Sequence, residues 1–195
     1  MAGKTNRTDM LMITLENLQD ANAAVRKRAV ETLRRTLVPA ALAKHAEVVV
    51  ALLEDTDANV RGEVVMTLHK LERATLAQHA VAVVAKLEHG IADVRRSSLD
   101  TLRKLDQVTL AQHAGAVAAR LEDSDSCVRL EALSTLSKLK PAALALHTDA
   151  LAARLLDSNT AVRSAALRTL RKLNKVTLTK HADAVVAMLS DSDAH

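Results

Sequence analysis

Residues 109–139 read TLAQHAGAVAARLEDSDSCVRLEALSTLSKL, and the chain repeats this sentence with variations along its 195 residues. One residue keeps time: His45, His79, His113, His147 and His181 stand 34 positions apart. The pairs Val25-Arg26, Val60-Arg61, Val94-Arg95, Val128-Arg129 and Val162-Arg163 follow at spacings of 35, 34, 34 and 34. Self-similarity at such a period signals stacked supersecondary units, each unable to bury its apolar face alone, rather than one globular core.

Each unit carries two helical stripes. In the first, Leu76, Ala80, Val83, Val84 and Leu87 fall at i, i+4, i+7, i+8 and i+11. Thr75 with Gln78, and Thr109 with Gln112, read as capping boxes at its start, and Pro141 suits the same start in a later unit. A polar break follows: Glu54-Asp55-Thr56-Asp57, Glu122-Asp123-Ser124-Asp125, Asp157-Ser158-Asn159. Asp57, Asp125 and Asn159 are placed to cap a second helix. Its stripe is Val60, Val64, Val65, Leu68 and Leu71, matched by Val128, Ala132, Leu133, Leu136 and Leu139. Lys and Arg gather in its last turn, where the helix dipole favours them. The expectation is an all-α solenoid of antiparallel helix pairs. It has a disordered stretch at 1–7, units at about 8–37, 38–72, 73–106, 107–140 and 141–174, and a half unit at 175–195.

Tetratricopeptide and ankyrin repeats have periods close to this one, but their W-x2-L-G-x2-Y and T-P-L-H signatures are absent. The second helix, Asp125-Ser-Cys-Val128-Arg129-Leu-Glu-Ala132-Leu133-Ser-Thr-Leu136, instead resembles the HEAT repeat of the armadillo/HEAT superfamily, over roughly residues 8–195. That resemblance implies a right-handed α-solenoid whose second helices line the concave side. It also implies an Asp/Arg ladder between units and a role as a protein-interaction scaffold or adaptor.

Composition narrows the class further. The chain is 49% hydrophobic and 26% charged, as folded domains are. Its apolar runs, such as Val48 to Leu53, fall far short of the ~18 residues of a membrane span. No signal-peptide pattern is present, and the lone Cys127 excludes an intrachain disulfide. A cytoplasmic or nuclear protein is expected, not a secreted one. The net charge is a modest +4. There is no Phe, Tyr or Trp, so stacking platforms for bases are missing and side chains absorb almost nothing at 280 nm.

The recurring polar residues read as architecture. The arginine after each valine lies inside the apolar arc and requires carboxylate partners, since a buried unpaired charge is costly. Asp20, Asp55, Asp123 and Asp157, or Asp57 and Asp125, supply them. His89-Gly90-Ile91-Ala92-Asp93 interrupts this rule, which predicts an altered turn there and makes Arg95 the freest of the set. The clock histidines suggest metal ligands, but repeats stack about 10 Å apart whereas zinc–nitrogen bonds are about 2 Å. No second ligand recurs beside them, so a hydrogen bond to a neighbouring inter-repeat loop is expected instead. With only four glycines no phosphate loop exists, Cys127 has no base, and Ser97 and Ser98 sit at positions filled elsewhere by Glu131 and Ala132. Neither an enzyme nor a cofactor or metal site is predicted.

Variation concentrates on the outward face of the second helices. The candidate partner-binding residues there are Arg34, Arg35, Met66, His69, Lys70, Arg73, Arg96, Arg103, Lys104, Lys138, Arg168, Arg171, Lys172 and Lys175. They form a basic ridge suited to an extended acidic or phosphorylated peptide. Nucleic-acid binding along the same ridge, or a structural or engineered array without a ligand, are the alternatives. Leu178, Val185, Val186 and Leu189 in the half unit predict weak self-association there.

Overall fold

A computed structural model describes residues 7–173 and Thr179; the rest of the half unit, with Lys175 and His181, and most of the 1–7 stretch lie outside the described residues. Every element described is helical. Helix α1 (Arg7–Glu16) is followed by the first long helix, α2 (Ala23–Thr36). Three-segment units then recur: α3 (Pro39–Ala43), α4 (Ala46–Ala51) and α5 (Ala58–Leu68); then α6 (Arg73–Gln78), α7 (Ala80–Ala85) and α8 (Ala92–Leu102). Next come α9 (Gln107–Gln112), α10 (Ala114–Ala119) and α11 (Ser126–Leu136); and α12 (Pro141–Leu144), α13 (Thr148–Ala153) and α14 (Thr160–Leu170). A single 3₁₀ turn, such as Leu52–Glu54 or Arg120–Glu122, ends the middle segment of each unit.

The expected first helix is therefore not continuous. It breaks at the clock histidine, which adopts φ/ψ of −116/10° at His45, −103/5° at His79, −108/6° at His113 and −119/18° at His147. Those angles lie near the bridge region rather than the helical well, so the chain turns one corner at each. The bend keeps both flanking turns on the core: Leu76 before it and Ala80 and Val83 after it are all buried. The histidine marks this corner, not the helix start. The start lies earlier too, because Glu72 and Asp106 occupy the cap positions, and Asp106 accepts the N–H groups of Val108 and Thr109 at 2.9 and 3.0 Å. Thr109 Oγ1 donates to Asp106, so no capping box starts at Thr75 or Thr109. Pro39 and Pro141 occupy first-turn positions, where a missing N–H leaves nothing unsatisfied.

The polar breaks cap the long helices as their residue types dictate. Asp57 accepts from Asn59 and Val60, Asp125 from Cys127 and Val128, and Asn159 from Ala161 and Val162, at 2.8–3.3 Å. The predicted stripes are buried: Val60, Val64, Leu68, Val128, Ala132 and Leu133 are fully enclosed. Each long helix packs directly on the next, α2 on α5, α5 on α8, α8 on α11 and α11 on α14. The middle segments lie behind their own long helices and meet one another only sparsely.

At the odd turn the backbone is not altered. His89 has φ/ψ of −65/142° against −60/142° for Asp123, and Ile91 has −87/119° against −87/124° for Asp125. His89 Nδ1 accepts the Ile91 N–H at 3.1 Å, reproducing the bond that Asp123 accepts from Asp125 at 3.0 Å. The ring substitutes for a carboxylate oxygen in the turn, and Gly90 needs no positive φ. Only the cap is lost, since Ile91 offers no side-chain acceptor.

Candidate functional site: the outward face of the long helices

Arg26, Arg61, Arg95 and Arg129, each following a valine, span two units. Arg26 donates Nε and Nη2 to Asp55 at 2.7 and 2.8 Å; Arg95 reaches Asp123 at 2.7 and 2.6 Å; Arg129 reaches Asp157 at 2.7 Å twice. The carboxylate thus belongs to the following unit. The remaining nitrogen, Nη1, closes the arginine's own turn on two carbonyls, as Arg129 does on Asp123 and Ser124. Burial alone would raise the Asp123 and Asp157 carboxyls, but the arginine bonds, the Asp125 and Asn159 N–H groups and the nearby positive charges together outweigh it and hold both below the ordinary carboxylate value. Arg95 is therefore not free. The change at His89 falls on Arg61, which finds no carboxylate at 89 and turns to Asp93 instead, sharing it with Arg96.

Lysines on the ridge form a second device. Lys70 Nζ donates to the Arg34 and Leu37 carbonyls at 2.5 and 2.6 Å, Lys104 to the His69 carbonyl, and Lys172 to the Ser137 carbonyl at 2.5 Å. Each caps the C-terminus of the preceding long helix, whose last carbonyls lack intrahelical donors. Burial, then the nearby Arg73 charge, lowers the Lys104 pKa.

A third ladder lies on the same face but is interrupted. Arg34 meets Glu63 at 2.5 Å, and Arg103 lies 3.2 Å from Glu131 while also pairing with Asp100. Burial, reinforced by Asp100, raises the Glu131 carboxyl. At the equivalent positions between these rungs and after them stand His69 with Ser97, and Ser137 with Ala165. Both interruptions open the surface. Gly62, Val65, Met66, His69, Arg96, Ser97, Asp100 and Glu131 line a cavity of about 200 Å³ between α5 and α8. A wider groove of about 490 Å³ separates α11 from α14, lined by Leu130, Glu131, Leu133, Ser134, Ser137, Ala165, Arg168, Thr169 and Lys172.

The predicted ridge is thus unequal along its length. Arg34, Arg96 and Arg103 are paired with carboxylates, Arg35 with Glu31 at 3.3 Å, and His69 Nε2 contacts the Asp100 carbonyl at 3.0 Å. Lys70, Lys104 and Lys172 hold main-chain carbonyls. Met66 is half exposed and carries no charge. Among the described residues, Arg73, Lys138, Arg168 and Arg171 are exposed cations without an acidic partner. Three of these lie at the α11–α14 end. Arg35, Arg96 and Arg103 pair within their own helices, three or four positions away, but the partners of Arg34, His69 and the lysines could not be read from sequence because they sit 29–36 positions away on another unit.

The side chains of His45, His79, His113 and His147 make no hydrogen bond among the described residues, so the expected link to inter-repeat loops is absent there. Burial lowers the His147 pKa. No cluster of His, Cys, Asp or Glu among the described residues could hold a metal, and no described helix is long and apolar enough to cross a membrane. Ser98 is buried with its hydroxyl on the Val94 carbonyl, and Cys127 is exposed and unpaired.

These features define a helical-repeat solenoid. No protein-family model and no curated protein matches the chain. Solved structures do. An engineered protein superimposes with TM-score 0.67 at 18% identity, covering 93% of this chain and 88% of its own. A designed armadillo repeat protein in complex with the peptide (KR)4 gives 0.63 at 15% identity, over 95% of this chain and 92% of that one. Computationally designed armadillo repeat proteins for modular peptide recognition give 0.61 at 14%, over 95% and 92%. The likeness is one of fold: the chain is a solenoid similar to designed armadillo-type repeats, with a three-segment unit.

Proposed function

We propose that this protein is a non-enzymatic peptide-binding scaffold, and that an extended acidic segment lies across the outward face of its long helices. Support comes first from packing. The long helices touch one another directly while the middle segments are spread apart, which is the arrangement of an inner, concave layer. Designed repeats of similar fold are described as built for peptide recognition, one of them holding a basic peptide. The observation that carries the sign of the charge here is the groove between α11 and α14, which Arg168 lines, with Lys138 and Arg171 next in sequence to its lining residues Ser137 and Lys172; among the described residues none of these three cations has an acidic partner. An anion entering there meets cations that are not already neutralised.

Fluorescence anisotropy with labelled octapeptides tests the reading. The acidic peptide (Glu-Asp)4 should bind, and (Lys-Arg)4 should not. Charge reversal at Lys138, Arg168 and Arg171 together should abolish the acidic signal without lowering helicity. Equal binding of both peptides, or a preference for the basic one, would overturn the acidic assignment. Displacement of the acidic peptide by a single-stranded oligonucleotide, with a steep salt dependence, would instead favour nucleic acid as the natural partner.

A further inference from the structure

The interruption of the Arg–Glu ladder has a consistent geometry. Where the rung is present, at Arg34–Glu63 and Arg103–Glu131, two long side chains fill the space between adjacent long helices. Where it is replaced by His69 and Ser97, or by Ser137 and Ala165, a cavity appears. The two openings differ in charge. Between α5 and α8 every charge is answered internally, because Arg96 pairs with Asp93 and His69 contacts Asp100. Between α11 and α14 the counter-charge is gone: Ala165 stands where Glu63 and Glu131 stand in other units. Position 168 carries Arg, while its equivalents are Met66, Asp100 and Ser134. The one carboxylate on the wall, Glu131, faces Arg103 in the neighbouring rung.

The geometry points to the α11–α14 groove as a pocket for a phosphomonoester, the side chain of a phosphoserine or phosphothreonine in the bound peptide. Arg168 and Lys172 are one helical turn apart and line the same groove. An exposed guanidinium offers a planar fork that matches two phosphate oxygens, and an ammonium adds a point charge. Lys172 spends one donor on the Ser137 carbonyl and keeps two. Ser134 adds a hydroxyl to the lining, and Leu130 and Leu133 supply an apolar wall for the carbon stem of the ligand residue. The groove's 490 Å³ suits one side chain and its flanking backbone rather than a helix or a folded domain.

This inference rests on the peptide-scaffold reading, and its test separates the two. Labelled degenerate nonapeptides, with the central residue fixed as phosphoserine, glutamate or serine, are titrated against the whole chain by anisotropy. The phosphoserine pool should bind about tenfold tighter than the serine pool. Arg168→Glu should remove that preference, bringing the phosphoserine pool down to the affinity of the serine pool. The double variant Ser137→Arg with Ala165→Glu rebuilds the missing rung in the pattern of Arg103–Glu131. It should close the groove and abolish the preference while the thermal midpoint is kept or raised. Equal binding of the phosphoserine and serine pools, or of the phosphoserine and glutamate pools, overturns the phosphate pocket and leaves the scaffold standing. A preference that survives both sets of substitutions overturns the assignment to this groove. No binding by any pool overturns the scaffold and the pocket together.

Discussion

Arg129 and Asp157 meet across a unit boundary through two parallel hydrogen bonds of 2.7 Å, while Arg129 Nη1 holds the Asp123 and Ser124 carbonyls of its own unit. Both side chains are nearly enclosed, at 10% and 2% exposure. One guanidinium therefore does two things at once: it closes a turn and fixes the register of the next unit on it.

Removing it leaves the buried Asp157 carboxylate with only the Asn159 N–H at 2.9 Å and the Arg154 guanidinium at 3.8 Å, and takes a donor from each of two carbonyls. Arg129→Ala should lower the unfolding free energy by about 3 kcal/mol, the low end for breaking a buried pair, because the guanidinium edge still meets water. Arg129→Lys should recover little, since one ammonium cannot serve a carboxylate and two carbonyls together. Urea denaturation measures both. A loss under about 1 kcal/mol for the alanine variant would mean the rung behaves as a solvated surface pair.

His89 allows the opposite experiment. The turn there keeps its backbone through the Nδ1 acceptor, yet the ladder carboxylate is missing and Arg61 shares Asp93 with Arg96. His89→Asp should restore a rung like Arg95–Asp123 and raise stability by about 1 kcal/mol. A double-mutant cycle with Arg61→Ala checks the cause: the gain should vanish when the arginine is absent. A gain that persists in the Arg61→Ala background would show that the effect comes from the turn alone.

Much of this architecture is legible in the sequence because it depends on short spacings. Val128, Ala132, Leu133 and Leu136 declare a helix face within a dozen residues, and Asp125 caps it from three positions away. What is not legible lies between units. Lys104 resembles any dipole-favoured lysine in a last turn until the His69 carbonyl is found against it. Arg95 looks unsupported beside His89 because its true partner, Asp123, is 28 positions downstream. The corner at His79 leaves no mark in the apolar stripe, since Leu76 and Val83 remain buried on either side of it. The open groove depends on Ser137 and Ala165 being small together, a coincidence visible only once α11 and α14 are adjacent.

The ridge cations divide into structural and available sets, and stability separates them. Lys70→Met removes two charge-assisted bonds to the Arg34 and Leu37 carbonyls and should cost about 1–2 kcal/mol. Lys138→Met, at an exposed position without a partner among the described residues, should leave the thermal midpoint unchanged. Binding should show the reverse: the acidic octapeptide should be weakened by Lys138→Met and tolerate Lys70→Met. Equal destabilisation by both would contradict the division.

Acid should dissolve the ladder in a defined window. Burial alone would raise Asp55, Asp123 and Asp157, but hydrogen bonds from Arg26, Arg95 and Arg129, together with backbone N–H bonds and the arginine charges, bring each below the ordinary value of 3.8. A carboxyl whose native pKa is depressed contributes stability that is complete above its unfolded value and is lost as pH falls through the native one. His147 acts earlier. Burial lowers its pKa from 6.5, so the unfolded chain takes up a proton first and stability declines gently as pH drops below that value. Thermal melts followed by circular dichroism should therefore show a shallow loss below pH 6.5 and a steep one below 3.8. His147→Gln should flatten the first, and Asp157→Asn should lower the midpoint at neutral pH while reducing the second. A melting temperature that holds steady well below pH 3.8 would mean that the arginine–aspartate rungs do not carry the stack.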